Sequence, residues 1–244
     1  SCVKAADYDQ DGDLDLFVGS RVLPMAYPMP DRSFILRNES NKEGGPHFVG
    51  ATEEVSAELA YPGMISDALW TDFNGDSWPD LILVGEWMPV RIFENKRGSL
   101  QEITKTSGLE DYLGWWNSLA AADLDNDGDI DYVVGNNGKN NYFQGTKEEP
   151  LRLYAKDLDN NGSIDPFITY YLRDSIGVRH EYLYHPWQDV VNQFAGIRKM
   201  FNSYGAFGAS TAPEMFANGL MDNATVLSAN WMDTSWIENL GNGK

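Results

Sequence analysis

The sequence predicts an all-β, propeller-like fold of tandem four-stranded blades with calcium loops, plus a small α-helical insertion. Three observations carry this. Four nine-residue acidic segments fall in one register along the 244 residues. Short apolar runs of strand length flank these segments, with no helical periodicity around them. The first three are also followed by further apolar segments and turns rich in Asn and Gly. The repeating unit is therefore strand, loop, strand, hairpin, strand, turn, strand, which is the make-up of a propeller blade.

The elements follow in order. Segments 3–6 and 16–18 bracket the first loop, Asp7, Asp9, Asp11, Asp13 and Asp15 on alternate positions, and segments 33–38 and 47–52 complete that unit. The second loop carries Asp72, Asn74, Asp76, Trp78 and Asp80, followed by an apolar run and then by 90–95 and 100–104. The third carries Asp123, Asp125, Asp127, Asp129 and Asp131 between 118–122 and 132–134, with 141–144 and 151–155 as its remaining strands. The fourth carries Asp157, Asp159, Asn161, Ser163 and Asp165, and starts on the last strand of the third unit. Loop starts lie 65, 51 and 34 residues apart, so the first two intervals fit a full blade and the third is too short for one. Ala5, Ala6 and Ala120, Ala121 and Ala122 suit an innermost strand crowded near an axis.

The spacing has a chemical meaning. Oxygen side chains at positions 1, 3, 5 and 9 of a tight loop converge on one hard cation. Position 7, here Asp13, Trp78, Asp129 and Ser163, adds a backbone carbonyl. Calcium takes six to eight oxygens at about 2.3–2.6 Å. Gly12, Gly128 and Gly162 at position 6 permit the sharp reversal, and Ser77 replaces Gly in the second loop. These windows hold 16 of the 23 Asp residues. Carboxylates packed this closely repel one another unless a cation joins them. Up to four Ca²⁺ are expected. The plainer alternative, a solvated acidic turn, suits one copy better than four in register. An EF-hand is excluded, because its bidentate Glu at position 12 is replaced by Val18, Leu83, Val134 and Ile168.

These loops resemble the FG-GAP/VCBS repeats of integrin-α-type β-propellers. The run from Asp11 through Arg21, with Tyr27-Pro-Met-Pro beyond it, is similar to VCBS-repeat proteins of the ASPIC/UnbV group. That group includes cartilage acidic protein and secreted or surface proteins of bacteria, notably Bacteroidetes, and residues 157–171 resemble its bacterial members. The resemblance spans residues 1–173 and 225–244. It implies a non-catalytic extracellular or surface scaffold that binds a protein or a glycan. Its alternative is a propeller module of a carbohydrate-active enzyme, polysaccharide lyase-like, with catalysis here or elsewhere in a longer chain. The FG-GAP letters themselves are absent, which weakens a direct integrin analogy.

Residues 1–173 thus read as about three blades with four loops, 174–224 as a helical insertion, and 225–244 as the start of a further, truncated blade. In the insertion, Trp187, Val190, Val191, Phe194, Ile197 and Phe201 share one helical face. A second helix is expected over 213–221, with Thr211 and Glu214 as a capping box. Because the sequence begins on a first strand and stops in a hairpin turn, it reads as a fragment of a larger propeller whose open edges invite edge-to-edge self-association.

Composition narrows the function. The net charge of −19 argues against nucleic acid and an anionic membrane surface as partners. No apolar run is long enough to insert in a membrane as a helix. The single Cys2 excludes an internal disulfide and a Cys-based zinc cluster. No catalytic constellation is apparent: His180 and His185 miss the zinc-protease spacing, and phosphate loops and nucleophile elbows are absent. Arg173, His180, Tyr182 and His185 are the local candidates for a lyase-like cleft. The sequons at Asn38, Asn161 and Asn223 read as chance matches. Weak calcium loops fill only where calcium is plentiful, so the expected location is extracellular, periplasmic or the outer-membrane surface.

Overall fold

The computed structural model describes residues 1–40 and 45–241. The chain is mostly β, in antiparallel sheets with few helices. It divides into two compact units, residues 1–23, 29–138 and 233–244, and residues 24–28 and 139–232.

The first unit begins with a four-stranded blade, β1 (Cys2–Ala6), β2 (Asp15–Gly19), β3 (Phe34–Asn38) and β4 (Phe48–Gly50), hydrogen-bonded in that order. The first acidic loop is the turn between β1 and β2. Along β2 the alternation of Asp15, Phe17 and Gly19 puts these three inside. A short helix α1 (Thr52–Val55) and a 3-10 turn (Ala57–Ala60), neither anticipated, lead to the second blade. That blade is β5 (Met64–Thr71), β6 (Asp80–Met88), β7 (Arg91–Asn95) and β8 (Leu100–Glu102). Every residue of β6 is buried, as its run Leu-Ile-Leu-Val requires of a central strand. Gly85 is forced by close approach: a Cβ there would stand 2.2 Å from the Met64 carbonyl oxygen. Tyr8, Phe17, Ile35, Leu59, Ile65, Leu81 and Phe93 are among the side chains of one apolar core, and Trp70 packs against it, stacked on Tyr8 at 6.2 Å.

The third blade opens with β9 (Gly114–Ala122) and β10 (Asp131–Asn136), joined by the third acidic loop. Strands β6 and β9 also meet at Glu86–Trp115 and Met88–Gly114, which fuses the second and third blades into one sheet.

Here the chain departs from expectation. Residues 141–144 form no strand. β11 (Leu151–Lys156) is not the outer strand of the third blade. It pairs with β12 (Asp165–Arg173) across the fourth acidic loop and opens the sheet of the second unit, completed by β13 (Arg179–Leu183) and β14 (Thr225–Ala229) in the order β13-β12-β11-β14. The reason is local: each acidic loop is the turn of a hairpin, so it claims the strand before it as the partner of the strand after it. The third strand of the third blade is instead β15 (Ser235–Ile237), which pairs with Tyr132, Val133 and Val134 of β10. Residues 225–237 therefore do not begin a further sheet; they add edge strands to two existing sheets. Residues 242–244, the last of that segment, lie outside the described residues.

In the second unit, α2 (Trp187–Gln193), a 3-10 turn (Ala195–Lys199), α3 (Tyr204–Ala209) and α4 (Ala212–Phe216) gather Val190, Val191, Ile197, Phe207 and Met215 around Phe167 of β12. The face expected over 187–201 does pack inward, but not as one helix. The chain breaks at Phe194, which is extended at φ −131°. The ring of Phe194 folds against Gly196, where a Cβ would come within 2.3 Å. Helix α3 was missed because Gly205 and Gly208 depress helix propensity, and Ser203 caps it through a bond from the Ala206 N–H at 3.1 Å. Helix α4 is shorter than the span 213–221, but the Thr211–Glu214 capping box is present in both directions.

Candidate metal centres

The four loops share one hydrogen-bond scheme. The carboxylate at position 1 bridges the turn. Asp7 accepts the N–H groups of Asp11 and Gly12, both at 3.0 Å. Asp72 accepts those of Asp76 at 3.0 Å and Ser77 at 2.8 Å. Asp157 accepts those of Asn161 at 3.0 Å and Gly162 at 2.8 Å. In the third loop the first bond moves one residue back, so that Asp123 accepts Asn126 at 2.7 Å and Gly128 at 3.2 Å. Position 5 accepts the N–H of position 7 in all four: Asp11 from Asp13, Asp76 from Trp78, Asp127 from Asp129, and Asn161 from Ser163.

Positions 4 and 6 have positive φ in every loop. Gly12, Gly128 and Gly162 lie at +99°, +100° and +86°, conformations that disfavour a Cβ. In the second loop Gly75 supplies position 4 at +73° and Ser77 supplies position 6 at +71°, so the Gly has changed places without altering the turn.

Position 9 is the buried member. Asp15, Asp80 and Asp131 are fully buried and Asp165 nearly so. Each accepts the N–H of position 2 of its own loop, from Tyr8, Phe73, Leu124 and Leu158 at 3.0 to 3.4 Å. Burial pushes Asp15 up to about 6 and Asp80 up to about 7, against the opposing pull of the N–H bonds from Asn38 and Asn95. Burial raises Asp165 as well.

The donor sets suit a hard divalent cation. Asp7, Asp9 and Asp15 offer oxygens within 4.8 Å of one another, as do Asp123, Asp125 and Asp127, and Asp157, Asp159 and Asp165. All are oxygen donors, the ligand type calcium requires. The second loop has the same backbone scheme with fewer carboxylates. The Asn74 amide there donates to Asp76 at 3.3 Å and to Glu94 at 3.1 Å, and Lys96 pairs with Glu94. Lys96 and Arg97 line the same surface hollow as Asp76, so part of the charge beside this loop is already offset.

One set of residues escaped the sequence reading. Asn38 and Asn95 end the third strands of their blades and Asn239 lies two residues beyond β15, and their backbone N–H groups donate to the position-9 carboxylates Asp15, Asp80 and Asp131 at 2.7, 2.7 and 2.9 Å. A signal was there: each Asn follows an apolar strand and precedes a turn, with Gly98 and Gly241 closing two of them.

Of the lyase-like candidates, three lie near one another, with the His180 ring edge-on to Tyr182 at 6.2 Å, and His185 is engaged separately. Arg173 and Tyr182 line a cavity of about 280 Å³ in the second unit, with Tyr170, Phe207 and Met215. His185 is committed elsewhere: its Nε2 accepts the Ile168 N–H at 3.1 Å, and burial lowers its pKa. His180 lies 3.3 Å from an Asp174 carboxylate oxygen. Among the described residues no helix is long and apolar enough to cross a membrane.

Compared with known families, residues 72–134 match the FG-GAP-like repeat. That stretch runs from the second acidic loop through the third loop into β10. No curated protein matches the chain.

Proposed function

We propose that this chain is a calcium-stabilised, non-catalytic scaffold of FG-GAP/VCBS type, of the bacterial ASPIC/UnbV kind, working outside the cytoplasm and presenting its loops to a protein or glycan. The observation that supports it most is the fourfold repetition of one loop scheme ending in a buried carboxylate. A fully buried Asp with neighbouring carboxylates costs stability when ionised. A cation would remove that cost and lock each hairpin. Asp7, Asp9, Asp11 and Asp15, and their counterparts in the other loops, would hold it, with the carbonyls of Asp13, Trp78, Asp129 and Ser163. The FG-GAP-like match across the second and third loops supports the same reading.

Affinities of about 10⁻⁴–10⁻³ M are those of extracellular modules, hence the location. The test is a thermal melt with Ca²⁺, with Mg²⁺ and after chelation, on the native protein and on the Asp125→Ala, Asp127→Ala double variant. A calcium-specific rise in Tm, reduced in the variant, is the expected result. A melt indifferent to all three conditions would sink the calcium reading.

A further inference from the structure

The three acidic loops of the first unit are joined by a continuous path of hydrogen bonds. The Asp15 carboxylate accepts the Tyr8 N–H at 3.4 Å. The Tyr8 carbonyl accepts the side-chain amide of Asn95 at 2.8 Å, across from one blade to the next. The Asn95 N–H donates to Asp80 at 2.7 Å. Asp80 in turn accepts the Phe73 N–H at 3.1 Å. The Phe73 carbonyl then accepts the amide of Asn239 at 2.8 Å, again across blades. The Asn239 N–H donates to Asp131 at 2.9 Å, and Asp131 accepts the Leu124 N–H at 3.1 Å.

Both bridging amides are buried and held from every side. Asn95 also donates to the Pro79 carbonyl at 2.8 Å and accepts the Gly98 N–H at 2.7 Å. Asn239 donates to the Ile130 carbonyl at 3.3 Å and accepts the Gly241 N–H at 3.1 Å. Asn38 repeats the local bonds, donating to Leu14 and accepting from Ser40, but among the described residues it makes no bond to another blade.

We infer that Asn95 and Asn239 are positioning residues that couple neighbouring loops, so that the order of each loop, and with it its cation affinity, depends on the loop before it. The cation half of this rests on the calcium reading above; the coupling of loop order does not. A side-chain amide fixed at both ends passes a displacement on, because a loop that opens must break a buried hydrogen bond of its neighbour. By linkage the coupling is reciprocal.

Amide hydrogen exchange, followed separately over residues 7–15, 72–80 and 123–131, tests this in chelator and during a Ca²⁺ titration. Asp7→Ala opens the first loop by removing the acceptor of two N–H groups. The expected result is exchange in the second loop faster by roughly threefold to tenfold, with its calcium midpoint raised by a similar factor. Adding Asn95→Ala should abolish that dependence, whereas Asn38→Ala should lower stability and leave the dependence in place. Should Asn95→Ala fail to fold, Asp123→Ala with and without Asn239→Ala makes the parallel comparison between the second and third loops.

Coupled exchange in chelator without any calcium protection would retain the coupling and remove the calcium reading. Calcium protection in loops that ignore Asp7→Ala in both conditions would do the reverse and overturn the inference.

Discussion

At the scale of single residues, burial turns repeated Asp residues into two classes. The carboxylates at positions 1 to 5 sit in exposed or half-buried turns and accept loop N–H groups. The position-9 carboxylates lie inside the sheet. Asp80 is pushed up to about 7 and Asp15 up to about 6, mainly by burial. The folded metal-free protein therefore keeps protons that the unfolded chain, with ordinary carboxyls near pH 4, has released. The contribution of these two carboxyls to stability should be greatest at low pH and fall as pH rises from about 4 through 7, while His185, whose pKa burial lowers, contributes in the opposite sense as it loses its proton. A cation favours the ionised carboxylates and lowers the folded pKa, so with saturating calcium the slope should flatten or reverse. Melts at pH 5.5 and pH 8, in chelator and in calcium, check both signs. A chelated protein more stable at pH 8 would contradict this account of the buried carboxylates.

The elements show where pattern suffices and where it does not. The hairpins about the acidic loops follow from alternation and turn chemistry within about twenty residues. The helices of the second unit follow less well, because short helices depend on caps and packing more than on propensity. Helix α4 has only five residues, and its capping box satisfies N–H groups that would otherwise be unpaired. Thr211→Ala should cost about 1 kcal/mol. Its effect should appear as faster amide exchange over α4 and the adjoining turn, with the first unit unchanged. Thr211→Ser, which keeps the acceptor, should restore most of the loss. An indifferent Thr211→Ala would mean that packing of Met215 alone holds this helix.

For the whole molecule, the decisive feature is the return of the chain to the third blade. The bond from Asn239 to Asp131 joins residues 108 apart in sequence, with residues 139–232 of the second unit between them. Such a contact forms late, since its loop-closure entropy is lost before the contact gives anything back. Ile237→Ala should therefore speed unfolding and leave the folding rate nearly unchanged, as stopped-flow denaturant kinetics would show. A slowed folding limb would place β15 in the nucleus instead. The sequence by itself determined the β class, the four loops, the register of their acidic positions and the capping box, because each depends on residues close together in the chain: alternation, turn residues and their spacing. The tertiary structure alone decided that β11 opens a new sheet, that β15 joins an earlier one, and that Asn95 and Asn239 bridge neighbouring loops. Strand partnership and cross-blade hydrogen bonds are long-range matters of which edges and carbonyls remain to be satisfied once the hairpins have formed, and no local pattern records that.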